Sequence, residues 1–188
     1  MTILRSGSTV EYVVTFLEMT ERPAWPWPPA PAGMEGALLR AEAPPPWYFL
    51  TMYDAVGRDY AWTDHHDRPE EDLRAWLHDP EVAMYTLMAH GWPHGFFVLD
   101  WREAGRCELA YFGLVPEVIG RGLGSWLLRT AILTGWSHEG VTRMTVNTNT
   151  LDHPRALVNY QKQGFGVVAR ETRNRILTRD RDPARIPE

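Results

Sequence analysis

The stretch YFGLVPEVIGRGLGSWLL, residues 111–128, decides how the rest of the chain is read. An apolar run ends at Pro116, glycines follow at 120, 122 and 124, and a helical pattern starts at once. The first amides of a helix have no partner within the helix, and the helix dipole makes that end positive. Glycine lets the backbone turn tightly and lets a ligand come close to it. A strand, a glycine turn and a helix start in succession therefore suit an anion, above all a phosphate or pyrophosphate. The amides from Gly120 to Ser125 are the candidate donors, with Arg121 adding charge at the edge. The alternative reading is a turn that only packs strand against helix. Neither common phosphate motif fits. A Walker loop needs a lysine before Ser125, and a dinucleotide fingerprint needs G-x-G-x-x-G early in a βαβ unit.

Working outward, the residues before the loop predict three antiparallel strands, VAMYTLMAH (82–90), GFFVLDW (95–101) and CELAYFGLV (107–115), with GWPH and REAGR as turns. After it, Leu123, Trp126, Leu127, Thr130, Ala131 and Thr134 form one helical stripe. RMTVNTN (143–149) is a strand, and HPRALVNYQKQGF starts a helix with Pro154 near its first turn and Gly164 as its C-cap. FGVVARET and RNRILT read as the last two strands. In the first half, VEYVVTFLEM (10–19) is a strand and ALLRAE (37–42) a short one. Tyr48, Met52, Val56 and Tyr60 share a helix face, and a further helix starts near Asp67 and buries Leu73, Trp76 and Leu77. The order predicts an α+β fold, layered α/β/α, with helices on both faces of one sheet.

The chain has 188 residues, enough for one domain with a sizeable core, and a single domain over 1–188 is expected. Its net charge is −5 with no basic block, which argues against nucleic acid as a partner. No apolar run is long enough for a membrane span. Cys107 is the only cysteine, so no internal disulfide is expected and a reducing cytoplasm suits the chain. Prolines and tryptophans crowd ERPAWPWPPAPAG, and residues 20–47 are expected to form a lid on the acceptor side. The run TDHHDRPEED (63–72) could ligate a metal, but adjacent histidines point apart and Asp67 suits a helix cap, so no metal is expected.

With the glycine loop and a second block in view, the sequence resembles the GNAT superfamily of acetyl-CoA-dependent N-acetyltransferases. The family signature is a strand, then Gln/Arg-x-x-Gly-x-Gly/Ala, then a helix. The six positions here are Ile119, Gly120, Arg121, Gly122, Leu123 and Gly124. The second block, ALVNYQKQGF (156–165), is similar to the family's A-x-x-L-Y-x-K-x-G-F, with Tyr160, Lys162, Gly164 and Phe165 in register. Ile119 stands where the family usually has Gln or Arg, a position that mainly contributes its amide. His153 stands where many members have Asn.

The resemblance implies a mixed, mostly antiparallel sheet of about seven strands with about four helices. It implies acetyl-CoA as cosubstrate and direct attack of a primary amine, on a small molecule or a peptide, through a tetrahedral intermediate. Tyr160 matches the family tyrosine near the CoA sulfur and is the candidate acid. Glu108 is the candidate base, directly or through water, with His90 and His94 as rivals. Regular alternation would put Glu108, Ala110, Phe112 and Leu114 on one face, unless a bulge intervenes. Leu114 and Val115 match residues that offer backbone groups to the pantetheine arm, and Asn147 on the next strand is a candidate cofactor contact. Another acyl-CoA as donor, or a CoA-binding module without catalysis, remain as alternatives, and the family admits a homodimer.

Overall fold

The computed structural model describes residues 3–186. Seven strands form one sheet in the order β2-β3-β4-β5-β6-β1-β7. They are β1 (Thr9–Met19), β2 (Gly36–Ala41), β3 (Val82–Ala89), β4 (Trp92–Asp100), β5 (Arg106–Leu114), β6 (Arg143–Asn149) and β7 (Gly166–Ile176). Every neighbouring pair is antiparallel except β5 with β6. The four helices are α1 (Pro46–Gly57), α2 (Glu70–Leu77), α3 (Leu123–Trp136) and α4 (Ala156–Lys162). This is the mostly antiparallel α+β architecture that the sequence pointed to.

Contacts assign the helices to two faces. A Cβ on Gly113 of β5 would meet Val56 of α1, and Trp76 of α2 packs on Tyr111. A Cβ on Gly135 of α3 would meet the Cys107 sulfur, and Tyr160 of α4 packs on Phe112. So α1 and α2 cover one face, and α3 and α4 the other. Between them lies a core that includes Leu17, Phe49, Phe96, Leu99, Leu109, Leu127 and Met144, each at most 2% exposed.

Local departures from the sequence reading have physical causes. The last two expected strands are one strand of eleven residues, because β1 is long enough to pair along all of it. The β3–β4 turn is not Gly91–His94. His90 and Gly91 hold φ of 50° and 84°, the two left-handed residues of a tight hairpin, and Trp92 to His94 belong to β4. Asp67 does not cap α2. Pro69 stands at the N-cap and three acids, Glu70, Glu71 and Asp72, fill the first turn. α4 begins two residues after Pro154, and Gly164 follows it at φ 104°, the left-handed position expected of a C-terminal glycine.

The contacts of Trp25 and Pro28 in the Pro/Trp-rich segment are with α3. The segment straps that helix: the Arg129 guanidinium sits 4.3 Å over the Trp25 ring, and the Trp126 indole N–H donates to the Pro28 carbonyl at 3.3 Å. Proline-rich backbone lacks donors for a sheet, so it runs extended across a helix and fixes itself by its rings. No helix among the described residues is long and apolar enough to cross a membrane.

Candidate functional site

Two irregularities in β5 create the site. The first is its pairing with β6, which holds only from Arg106–Arg143 to Glu108–Thr145. Beyond that point no pairing joins them, and a gap opens through the sheet. The second is a bulge: Val98 pairs with Tyr111 but Leu99 pairs with Leu109, which leaves Ala110 unpaired. The bulge shifts the alternation by one. Glu108, Tyr111 and Gly113 face α1 and α2, while Leu109, Phe112 and Leu114 face α3 and α4. The regular alternation of Glu108, Ala110, Phe112 and Leu114 is therefore broken.

A cavity of about 620 Å³ occupies this gap. Of the residues singled out in the sequence, it is lined by Glu108, Leu114, Ile119, Gly120, Gly122, Gly124, Asn147 and Tyr160. Val115, Arg121, Leu123 and Ser125 do not line it. The Val115 amide donates to the His94 carbonyl at 3.0 Å, and its own carbonyl accepts from Val118. Both backbone groups of Val115 are thus engaged within the protein. Leu123 is buried in the core, Arg121 is exposed on the loop, and Ser125 is exposed in the first turn of α3.

The glycine loop has the form its sequence called for. Gly120 and Gly122 hold φ of 84° and 78°, and nothing lies within 4 Å of where their Cβ atoms would be. Gly122 is the N-cap of α3 and supplies no capping side chain. The first amides of α3 thus meet a concave opening with room for an anion, which suits a pyrophosphate.

Tyr160 is 7% exposed. Burial pushes its phenol well above the ordinary value of 10.0, with the charge of Asp152 adding to the effect, so it keeps its proton at neutral pH. Its ring packs edge-on against Phe112 and Phe165. Glu108 reaches the cavity from the other face. Burial raises its carboxyl from the ordinary 4.5, Asp100 adds to the rise, and Arg106, 3.6 Å away, opposes it. The rival bases fare differently. His94 is 3% exposed, its Nδ1 lies 3.1 Å from the Trp92 carbonyl, and neither it nor His90 lines the cavity.

Several wall residues were not singled out as site residues. His65 is buried, its Nε2 lies 2.6 Å from the Tyr111 hydroxyl, and its ring stacks on Trp76. Burial lowers its pKa from 6.5 to about 4, with the Arg68 charge adding to the drop. In the sequence it was one member of a run of acids and histidines. The structure sends the two histidines apart, His65 to Tyr111 and His66 to Asp54 at 3.2 Å. Asp152 accepts from the Trp62 indole at 3.0 Å, the Thr148 hydroxyl at 2.8 Å and the Asn149 amide at 2.8 Å. Burial raises its carboxyl above the ordinary value. An aspartate two residues before a proline at a helix start was the available signal. Asp100 and Trp76 complete the set, with the indole N–H donating to the Asp100 carboxylate at 3.0 Å.

Comparison with known proteins bears on the family and the fold. The family model described as Acetyltransferase (GNAT) family matches residues 47–165. No curated protein matches the chain. Among solved structures, a GCN5-related N-acetyltransferase from Sphaerobacter thermophilus superposes with a TM-score of 0.62 at 18% identity, over 94% of this chain and 53% of its own. A GCN5-related N-acetyltransferase from Kribbella flavida gives 0.58 at 19% identity, over 91% and 58%. An aminoglycoside acetyltransferase from an uncultured soil metagenomic sample, in complex with sisomicin, gives 0.55 at 12% identity, over 69% and 87%. At these identities the likeness is one of fold, and the chain spans little more than half the length of the first two.

Proposed function

Because the chain belongs to the acetyltransferase (GNAT) family, we propose that it transfers an acetyl group from acetyl-CoA to the nitrogen of a primary amine. One observation carries the reading: Glu108 and Tyr160, from opposite faces of the sheet, line the same cavity as the glycine loop. The open cradle at Gly120 and Gly122 fits the pyrophosphate of CoA, Ile119, Gly124 and Leu114 continue the lining from that cradle, and Asn147 lines the cavity from the face of Thr145 and Glu108. Arg155, the N-cap residue of α4, also lines the cavity on this side and supplies positive charge to the phosphates.

Acetyl-CoA would bring the activated acetyl thioester. Glu108 takes a proton from the amine, directly or through a water, and its raised proton affinity suits that task near neutral pH. Tyr160 keeps a proton on its phenol oxygen and gives it to the departing sulfur. The fold neighbour in complex with sisomicin supports a small-molecule amine as acceptor.

The test is thiol release from acetyl-CoA by the purified protein in the presence of a panel of amines. Tyr160→Phe keeps the ring and removes the hydroxyl, so turnover should drop by about 10²–10⁴-fold with acetyl-CoA affinity unchanged. Acetyl-CoA binding without thiol release for any amine would instead mark a CoA-binding module.

A further inference from the structure

Four arginines line the cavity: Arg68, Arg155, Arg173 and Arg175. Two of them have carboxylate partners within the protein. Arg175 pairs with Asp64, and Arg173 with Glu171. Arg155 stands at the start of α4, on the side of the glycine loop. Arg68 is different. It belongs to the α1–α2 wall, is half-buried, and has no carboxylate within ion-pair distance among the described residues. Its guanidinium lies 5.8 Å from the Trp76 ring centre, and its Nη2 donates to the Asp72 carbonyl at 3.2 Å.

Trp76 links this cation to the candidate base. The indole N–H donates to Asp100, and Asp100 pairs across the β4–β5 ladder with Glu108. The acceptor wall thus presents a guanidinium over the face of one indole and two carboxylates beyond its N–H edge. A guanidinium on the cavity wall without a carboxylate partner can take a ligand carboxylate through paired charged hydrogen bonds. A purely cationic polyamine would meet repulsion at the same place.

We propose that the acceptor is a small zwitterion of the amino-acid type: its amine goes to Glu108, and its carboxylate, a few bonds away, is held by Arg68. This rests on the assignment of Glu108 in the proposed transfer reaction. Arg68 is here a specificity residue for the acceptor, with no part in holding acetyl-CoA.

The experiment uses the full chain, a set of L-amino acids, their carboxamides, and alkyl diamines. Binding is read by tryptophan fluorescence in the presence of CoA, and transfer by thiol release from acetyl-CoA. The carboxylates should bind roughly 10–100-fold more tightly than the matching amides, the worth of a charged hydrogen-bonded contact. Arg68→Gln should remove that preference, Arg68→Lys should keep part of it, and acetyl-CoA affinity should stay unchanged in both. Equal binding of carboxylates and amides, a preference that survives Arg68→Gln, or diamines as the best ligands would each overturn the proposal. An Arg68-dependent carboxylate preference in binding without any thiol release would uphold the anion subsite and overturn the transfer reading instead.

Discussion

Glu108 stands directly opposite Asp100 across the β4–β5 ladder. Asp100 is itself held by the Arg102 guanidinium at 2.7 Å and by the Trp76 indole. These donors keep Asp100 ionised, below the ordinary carboxylate range, despite its burial. Its charge then makes Glu108 slower to give up a proton. Two neighbouring acids are driven apart in proton affinity, a pattern suited to a base working nearer neutrality.

The pH dependence follows from that pair. kcat/KM should fall on the acid side with a midpoint above the ordinary 4.5, since Glu108 must be ionised to take a proton. The stability effect has the opposite sense. A carboxyl whose folded pKa is raised holds its proton longer in the folded state, so its stabilising effect is present at low pH and lost as pH rises. Glu108→Gln should therefore melt higher than the parent at pH 8 and match it near pH 4, while turnover falls across the range. A parent profile flat down to pH 4 would remove Glu108 from the role of base.

Gly122 separates strain from charge at the loop. Its φ of 78° disfavours any L side chain, by about 1–2 kcal/mol, yet no atom lies within 4 Å of a built Cβ. Gly122→Ala and Gly122→Asp should lose similar stability in thermal melts. Calorimetry should show acetyl-CoA binding weakened by the alanine and abolished by the aspartate, whose charge would face the phosphates. Equal binding losses in the two variants would mean that no anion sits there.

The strap over α3 changes what its tryptophans are expected to do. Trp25 carries the Arg129 guanidinium on its face, an arrangement worth about 0.5–1 kcal/mol beyond the apolar area it covers. Replacing Trp25 by alanine should lower the melting temperature and leave the acceptor KM alone. Trp27 is 53% exposed, so its alanine variant should melt close to the parent. A raised acceptor KM with an unchanged melt would return the segment to the acceptor side.

His65 supplies a second, independent pH signal. Its folded pKa of about 4 lies below the ordinary 6.5, so the neutral ring is favoured in the folded state. Its stabilising effect is complete above pH 6.5 and is lost as pH falls toward 4. That loss amounts to about 3 kcal/mol. Urea melts between pH 7 and 4 should show this slope in the parent and a shallower one in His65→Phe.

The form of the glycine loop and the glycine that ends α4 were legible because local rules write them into the chain, whereas Tyr160 was singled out by the family resemblance. Left-handed glycines and a helix start need no tertiary information, and Gly120, Gly122 and Gly164 lie where those rules put them. The facing of Glu108 was not legible, since it depends on a bulge at Ala110 that only the pairing with β4 imposes. Asp100 and Trp76 belong to the site through a contact 24 residues apart in sequence, and Trp62 reaches Asp152 across 90. The packing of the strap on α3 was hidden for a related reason. Aromatic and proline content marks a segment that packs, but the surface it packs on is a matter of topology.

The gap between β5 and β6 also governs the order of events. Its glycine-loop side opens toward α3 and α4, and its acidic side toward α1 and α2. In the proposed transfer, a cavity lined from both faces of the sheet would hold thioester and amine together, so neither product must leave before the other partner arrives. Initial-rate plots against one substrate at several fixed levels of the other should intersect, and no acetylated form of the protein should accumulate when the amine is withheld.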